Sequence, residues 1–344
     1  MSDPDWGKFQ QLIAAHQSFL ITSHVRPDAD ALGSELGICA LLESFGKEVS
    51  IINASAPPAS LRFLNPEGRI KKLNEDVKKA DVPTTDAIVI VDTSAWQQLG
   101  TMAEIVQSSQ ARRIVIDHHV SSDNLDAAEF KDVTAAATGE LIFEAFEFLG
   151  VPVTTETAEA LYAAVATDTG WFRFPSTTAR TMHVVTELVR AGAVPHKLYN
   201  RIHEQCSAAR LRLNGRVLSR IQTEADGKLV WVYVNADDLN STGAVPSDTE
   251  GLVNQCLTLA GSEAAFIAVE LQTGQIKFSL RCREPHDVAK VAEQFRGGGH
   301  RLASGATLSG PMPEAIVKIR LAMHAMLGVE VAEALNPAEQ PSEL

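Results

Sequence analysis

Four short segments, far apart in the chain, concentrate carboxylates and imidazoles. They are His24-Val25-Arg26-Pro27-Asp28-Ala29-Asp30, Val91-Asp92-Thr93, Asp117-His118-His119 and Thr167-Asp168-Thr169-Gly170. A fifth, Gly297-Gly298-Gly299-His300, is of a different kind. So many negative charges cannot share one site unpaired, because neighbouring carboxylates raise each other's pKa or bind cations. A pair of divalent metals is the simplest way to hold them, and it points to phosphate-ester hydrolysis. Oxygen donors alone suit Mg²⁺, whereas added imidazole shifts the preference toward Mn²⁺ and other transition ions. One carboxylate bridging two ions would set them about 3.5–4 Å apart, lower the pKa of a bridging water and offset charge growing on phosphoryl oxygens. A second imidazole, His119, could contact the phosphate or assist the leaving group; its plainer role is to orient a neighbour.

These residues need elements to position them, and the first half of the chain supplies alternating strand and helix signals. Ser18–Ser23 reads as a buried strand, followed by a helix from Asp30 to Phe45 closed by Gly46. Further strands are predicted at Glu48–Asn53, Asp86–Val91 and Arg113–Ile116. Helices are predicted at Gly139–Leu149, Thr157–Ala166 and Thr178–Arg190. This alternation predicts an α/β fold with a doubly wound, mainly parallel sheet. In such sheets ligands collect beyond the carboxyl ends of strands. His24, Asp28, Asp92, Asp117 and His118 all fall at such ends, and Asp168 ends a helix. Any one of them alone could be a cap or turn residue, Asp30 above all, since it precedes a helix as an N-cap would.

Ala191-Gly192-Ala193-Val194-Pro195 breaks the helical pattern, so residues 191–207 are expected to link a first domain, 1–190, to a smaller α/β domain, 208–330. The second domain reads as a helix over Ala208–Ile221, strands at Leu229–Val234, Ala265–Leu271 and Gln275–Arg281, and helices near Asp287–Phe295 and Val317–Leu327. The arginines of the first helix, Arg210, Arg212, Arg216 and Arg220, are expected on a solvated face. A polar tail, 331–344, is expected to be disordered.

The formal net charge of −13 in 344 residues argues against coating of long nucleic acid, though not against a short phosphorylated ligand. No apolar run is long enough to span a membrane, and the acidic N-terminus lacks a secretory pattern. Cys39, Cys206, Cys256 and Cys282 form no Cys-x-x-Cys pair, so buried reduced thiols in a cytoplasmic protein are expected.

Three glycines in a row let a backbone approach a phosphate and form an anion-binding nest, with His300 next to it. A tight glycine loop with a surface histidine is the plainer alternative. Ser279, Arg281 and Arg283 share strand parity, and Arg281 is the best candidate for a non-scissile phosphate.

Together, His24-x-x-Pro27-Asp28-x-Asp30-x-x-Gly33-Ser34, Val91-Asp92-Thr93, Asp117-His118-His119 and Thr167-Asp168-Thr169-Gly170 resemble the successive motifs of the DHH phosphoesterase superfamily. Arg296-Gly297-Gly298-Gly299-His300 with Ala303-Ser304-Gly305-Ala306 resembles the signature of its DHHA1 companion domain. The resemblance spans roughly residues 10 to 325 and is nearest to the NrnA-like branch. It implies two divalent ions, Mn²⁺ foremost with Mg²⁺ or Co²⁺ as alternatives. It implies His24 and Asp28 on one ion, Asp30, His118 and Asp168 on the other, and Asp92 between them. Asp117 would be a supporting group in catalysis and His119 would face the scissile phosphate. Ser279, Arg281, Gly298, Gly299 and His300 would grip the substrate, with a cleft between the two domains.

The implied activity is hydrolysis of short oligoribonucleotides, dinucleotides and 3′-phosphoadenosine 5′-phosphate, without binding of long duplex DNA or of membranes, and with a homodimer as a family-level expectation. Alternatives are a RecJ-like single-stranded DNA exonuclease, a cyclic-dinucleotide phosphodiesterase, a pyrophosphatase or polyphosphatase, and, outside enzymology, a nucleotide-sensing module.

Overall fold

The computed structural model describes residues 4–271 and 273–329. The chain divides into two compact units, with the boundary between Gln205 and Cys206. The tail 331–344 lies outside the described residues.

In the first unit, six strands form one sheet: β1 (Ser18–Thr22), β2 (Glu48–Asn53), β3 (Ile70–Lys72), β4 (Ala87–Val91), β5 (Arg112–Asp117) and β6 (Ala128–Lys131). The order is β3-β2-β1-β4-β5-β6, and every pairing is parallel. Helices α1 (Trp6–Ala15), α2 (Ala29–Ser44), α3 (Met102–Ser108), α4 (Thr138–Leu149), α5 (Thr155–Asp168), α6 (Ala179–Arg190) and α7 (Pro195–His203) complete the unit. The uninterrupted apolar run of β4 has a simple cause. Ala87, Val89 and Val91 face the core under α2, α4 and α5, while Ile88 and Ile90 face the core under α3. A strand covered on both faces has no polar positions to alternate with.

Helix α2 lies unusually close to α5. A Cβ on Gly33 would fall 2.3 Å from the Ala160 carbonyl oxygen, so only glycine permits this approach. The packing brings the start of α2 toward the end of α5, where two of the acidic segments lie. The short edge strands β3 and β6 were not expected from the sequence; with three and four residues they carry little periodicity. The stretch 191–207, expected to be a linker, instead holds α7. Pro195 occupies its first turn, where a missing N–H costs nothing, and Leu198 is buried.

The second unit is also a six-stranded sheet: β7 (Gln222–Glu224), β8 (Leu229–Val234), β9 (Ala264–Glu270), β10 (Gln275–Cys282), β11 (Gly298–His300) and β12 (Ala303–Ser309). Its order is β11-β12-β10-β9-β8-β7, antiparallel except between β8 and β9. Its helices are α8 (Ala208–Leu218), α9 (Ala236–Thr242), α10 (Leu252–Cys256), α11 (Val288–Glu293) and α12 (Met312–Leu327). Trp231, Phe266 and Phe278 pack on one face with residues of α11 and α12, and Val230, Val232 and Ile267 on the other with residues of α8 and α10.

Two expectations need correction here. Arg212 of α8 is exposed as expected, but Arg210, Arg216 and, in the following turn, Arg220 do not simply face water. Arg216 Nε lies 2.7 Å from Asp238 Oδ1, Arg220 binds the same buried carboxylate, and Arg210 donates to the Glu250 carbonyl. A buried Asp238 needs these partners, because an unpaired buried carboxylate is strongly disfavoured. Secondly, Cys39, Cys256 and Cys282 are buried as expected, but Cys206 is exposed.

Candidate metal centre

Strands β1, β4 and β5 are neighbours, and their carboxyl ends open on one side at the point where strand order reverses, the usual ligand position in an open parallel sheet. His24 follows β1, Asp92 follows β4, and Asp117-His118-His119 ends and follows β5. Asp28 caps α2: its Oδ1 accepts from the N–H groups of Asp30 (3.0 Å) and Ala31 (3.1 Å). Asp28, not Asp30, is therefore the N-cap.

Asp30 lies one residue into the helix and is buried, with both oxygens directed at the start of α4. Thr138 N–H donates to Oδ2 (2.7 Å) and Gly139 N–H to Oδ1 (2.8 Å), while Ser34 Oγ donates to Oδ1 (3.2 Å). A helix amino end favours a negative charge by its dipole and its unpaired N–H groups. These bonds fix the position of both Asp30 oxygens, although the side chain is nearly inaccessible to water.

Asp92 stands at the middle of the arrangement. Its backbone is left-handed (φ 60°), a conformation Asp tolerates better than most residues, and its side chain is buried. Asp92 Oδ2 lies 3.3 Å from His24 Nε2, and Oδ1 lies 3.6 Å from His118 Nε2 and 3.7 Å from His119 Nδ1. His118 Nε2 is also 3.4 Å from Asp168 Oδ2 and 3.8 Å from Asp30 Oδ2, and His24 Nε2 is 3.9 Å from Asp28 Oδ1. Within each of the sets His24–Asp28–Asp92, Asp30–His118–Asp168 and Asp92–His118–His119, the donor atoms lie within 4.8 Å of one another. Two of these sets meet at Asp92, one on each of its oxygens.

The electrostatics match a cation site. Burial, followed by the charges of Asp30, Asp28 and Asp168, pushes the Asp92 carboxyl well above the usual carboxylate range. Burial and the same two carboxylates, Asp30 and Asp28, push Asp168 up to about 8. Without a cation, the cluster must take up protons to relieve its repulsion. A donor set of imidazole nitrogens and carboxylate oxygens around a strongly repulsive centre fits divalent ions.

Asp117 behaves differently. Burial would raise it, but hydrogen bonds from His119 and Ser94 hold it down at about 2. Ser94 Oγ donates to Asp117 Oδ2 (2.6 Å), and His119 Nδ1 donates to Oδ1 (2.9 Å). The Lys131 ammonium lies 3.2 Å from Oδ2 and also donates to Ser94 Oγ (2.7 Å). The bond to Asp117 in turn raises the pKa of His119. Asp117 is thus turned away from the cluster and orients His119. Thr138, Ser94 and Lys131 were missed in the sequence. Ser94 is two residues past Asp92, a signal that could have been used, whereas Lys131 is carried by the unrecognised strand β6.

In the second unit, register gathers the expected substrate-binding residues. Ser279 pairs with Gly305, which pairs with Gly298; Arg281 pairs with Ala303, which pairs with His300. Directly opposed residues point to the same face, so Ser279, Arg281, Gly298 and His300 share one surface across three strands, with Gly299 between. Arg281 donates from Nε to Asn254 Oδ1 (3.2 Å) and from Nη1 to its neighbour's carbonyl (2.9 Å). Arg283 lies past the strand end, its guanidinium bound to the carbonyls of Ser262 and Leu257. The glycine run is an exposed edge strand rather than a nest loop. A Cβ on Gly297 would fall 2.2 Å from the Gly305 carbonyl oxygen, and one on Gly299, 2.6 Å from that of Ala303. Two of the three glycines are therefore needed to pack against β12.

Comparison with known proteins agrees with this arrangement. Residues 18–165 match the DHH family, N-terminal domain, and residues 217–327 match the DHHA1 domain. The chain is 30% identical over 299 residues to the bifunctional oligoribonuclease and PAP phosphatase NrnA of Thermus thermophilus, covering 87% of this chain and 86% of the relative. It is 28% identical over 299 residues to the protein of the same name from Bacillus subtilis, covering 86% and 91% of the two chains. The crystal structure of an exopolyphosphatase-related protein from Bacteroides fragilis superposes with a TM-score of 0.87 at 28% identity, covering 93% of this chain and 95% of that one. With both domains matched in order and nearly the whole length aligned, the chain belongs to the DHH–DHHA1 phosphoesterases, in their NrnA-like branch.

Proposed function

We propose that this protein is a divalent-metal-dependent phosphoesterase that hydrolyses short oligoribonucleotides and 3′-phosphoadenosine 5′-phosphate, the activities named for its relatives. One observation carries the reading: the buried Asp92 offers one oxygen to a group with His24 and the other to a group with His118. His24, Asp28 and Asp92 would hold one ion, and Asp30, His118 and Asp168, again with Asp92, the other. The imidazoles favour Mn²⁺ over Mg²⁺, with Co²⁺ a further candidate. Such ions, when bound, activate water and neutralise charge on phosphoryl oxygens.

The chain's own residues do the rest. Asp117, fixed by Ser94 and Lys131, holds His119 by Nδ1, leaving Nε2 to meet the phosphate or the departing oxygen. The raised pKa of His119 favours the protonated form, which can donate there. Ser279, Arg281, Gly298, Gly299 and His300 would bind the nucleotide that is not cut, with the Arg281 guanidinium on its phosphate. The net charge of −13 works against long nucleic acid, which favours short substrates over a RecJ-like activity. The same reading puts the protein in the cytoplasm, where its four free thiols stay reduced. Among the described residues, no helix is long and apolar enough to cross a membrane.

The test is removal of metal with a chelator, followed by addition of Mn²⁺, Co²⁺ or Mg²⁺ and measurement of product release from a diribonucleotide and from 3′-phosphoadenosine 5′-phosphate. Hydrolysis should vanish and return, best with Mn²⁺. Activity that survives chelation, or none on either substrate, would defeat the reading.

A further inference from the structure

Directly beyond Asp168 the chain adopts a backbone that no regular element requires. Gly170, Trp171 and Phe172 have φ values of 56°, 57° and 64°. Three consecutive left-handed residues are rare, and two of these carry large aromatic side chains. Such a conformation persists only where its surroundings over-determine it. Here they do. Phe172 N–H donates to Thr169 Oγ1 (3.1 Å), and the N–H groups of Arg173 and Phe174 both donate to the Thr169 carbonyl (3.0 Å). Arg173 Nε donates to the Gly170 carbonyl (2.7 Å). Trp171 anchors the turn: its indole N–H donates to His203 Nε2, and its ring meets Tyr199 edge-on at 4.8 Å between centroids.

The result of this turn is the position of Phe174. The outer end of its ring packs on Gly170, where a Cβ would fall 2.5–2.8 Å from three ring atoms. The Arg173 guanidinium lies 5.9 Å from the ring centroid. Yet Phe174 is 49% exposed. An aromatic ring held firmly by a strained loop and left half in water is not explained by core packing. Gly170 is two Cα steps, at most about 7.6 Å, from Asp168, so the ring lies within a nucleotide's length of the candidate metal centre.

We propose that Phe174 is a stacking platform for the nucleobase of the substrate, with Gly170, Trp171 and Arg173 positioning its ring. The inference rests on the phosphoesterase reading, since it takes the phosphate of that nucleotide to lie at the Asp168 end of the site. Every base presents a π-face, so stacking gives affinity without sequence preference. The platform therefore suits an enzyme that degrades short RNA of any sequence.

Equilibrium dialysis with 5′-AMP and with ribose 5-phosphate tests it in the full-length wild type, Phe174→Ala and Phe174→Trp. Wild type should hold AMP about tenfold or more tightly than the base-less sugar phosphate. Phe174→Ala should cut that preference by about fivefold or more, and Phe174→Trp should keep it. No preference in wild type, a preference unmoved by Phe174→Ala, or one lost equally in both variants would overturn the platform. Product release from a diribonucleotide by the same wild-type preparation with Mn²⁺ reports separately on the reaction. Protein that binds AMP through Phe174 but releases nothing would keep the platform and sink the phosphoesterase reading.

Discussion

Lys131 stands directly opposite Asp117 in the parallel pairing of β5 and β6, and its ammonium lies 3.2 Å from Asp117 Oδ2. Neither side chain is more than slightly exposed. The pair fixes the carboxylate that in turn fixes His119, so a positive charge two contacts away, with only Asp117 between, controls the orientation of an imidazole at the candidate metal centre. Lys131→Met should lower kcat by about tenfold or more while leaving metal content unchanged, by analogy with the cost of losing groups that orient site ligands. Steady-state kinetics and metal analysis on the same preparation check this; lost metal with normal turnover per bound ion would contradict it.

Asp92 is shared by both donor sets, so Asp92→Ala should abolish hydrolysis and halve bound metal. Inductively coupled plasma analysis beside an activity assay decides it. Retained activity with two ions bound would overturn the bridging assignment.

Metal-free protein should lose stability as pH rises. Asp92 and Asp168 have carboxyls raised in the folded state, Asp168 to about 8 against an ordinary 3.8. The folded state therefore binds more protons than the unfolded state between these values, and stability falls with increasing pH across that window. The contribution is fully present below pH 4 and lost by the time pH passes 8. Melting temperatures of chelated protein should fall from about pH 5 to about pH 8, and added Mn²⁺ should abolish the slope. A flat profile in the chelated protein would refute the repulsive cluster.

Arg281→Ala should raise KM more than it lowers kcat, because contact with a phosphate that is not cut exists equally in ground and transition states. Asn254 holds the guanidinium in place, so Asn254→Ala should give a weaker effect of the same kind. A fall in kcat at constant KM would place Arg281 in the chemical step instead.

Asp238→Ala should destabilise the second unit by about 3 kcal/mol, since it leaves Arg216 and Arg220 without the carboxylate that both bind. Chemical denaturation followed by Trp231 fluorescence measures this. Asp237→Ala, which removes only an exposed partner of Arg216, should cost less than about 1 kcal/mol.

The sequence alone makes legible the strand–helix alternation of the first unit and the residue types of the candidate centre, because both are local. Apolar runs bounded by turns report buried strands, and His or Asp placed at their ends reports where ligands gather in a parallel sheet. It also determined that Ser279 and Arg281 share a face, since strand parity follows from spacing alone. Tertiary structure decided what depends on partners distant in the chain. Thr138 and Gly139 stabilise Asp30 across more than a hundred residues, and the short strand β6 places Lys131 behind Asp117. The same is true of the glycine run, which local chemistry suggested as an anion nest but which β12 recruits as an edge strand. Three consecutive glycines have no intrinsic preference strong enough to resist a neighbouring strand with unpaired backbone groups. Conformation at such residues is set by what packs against them.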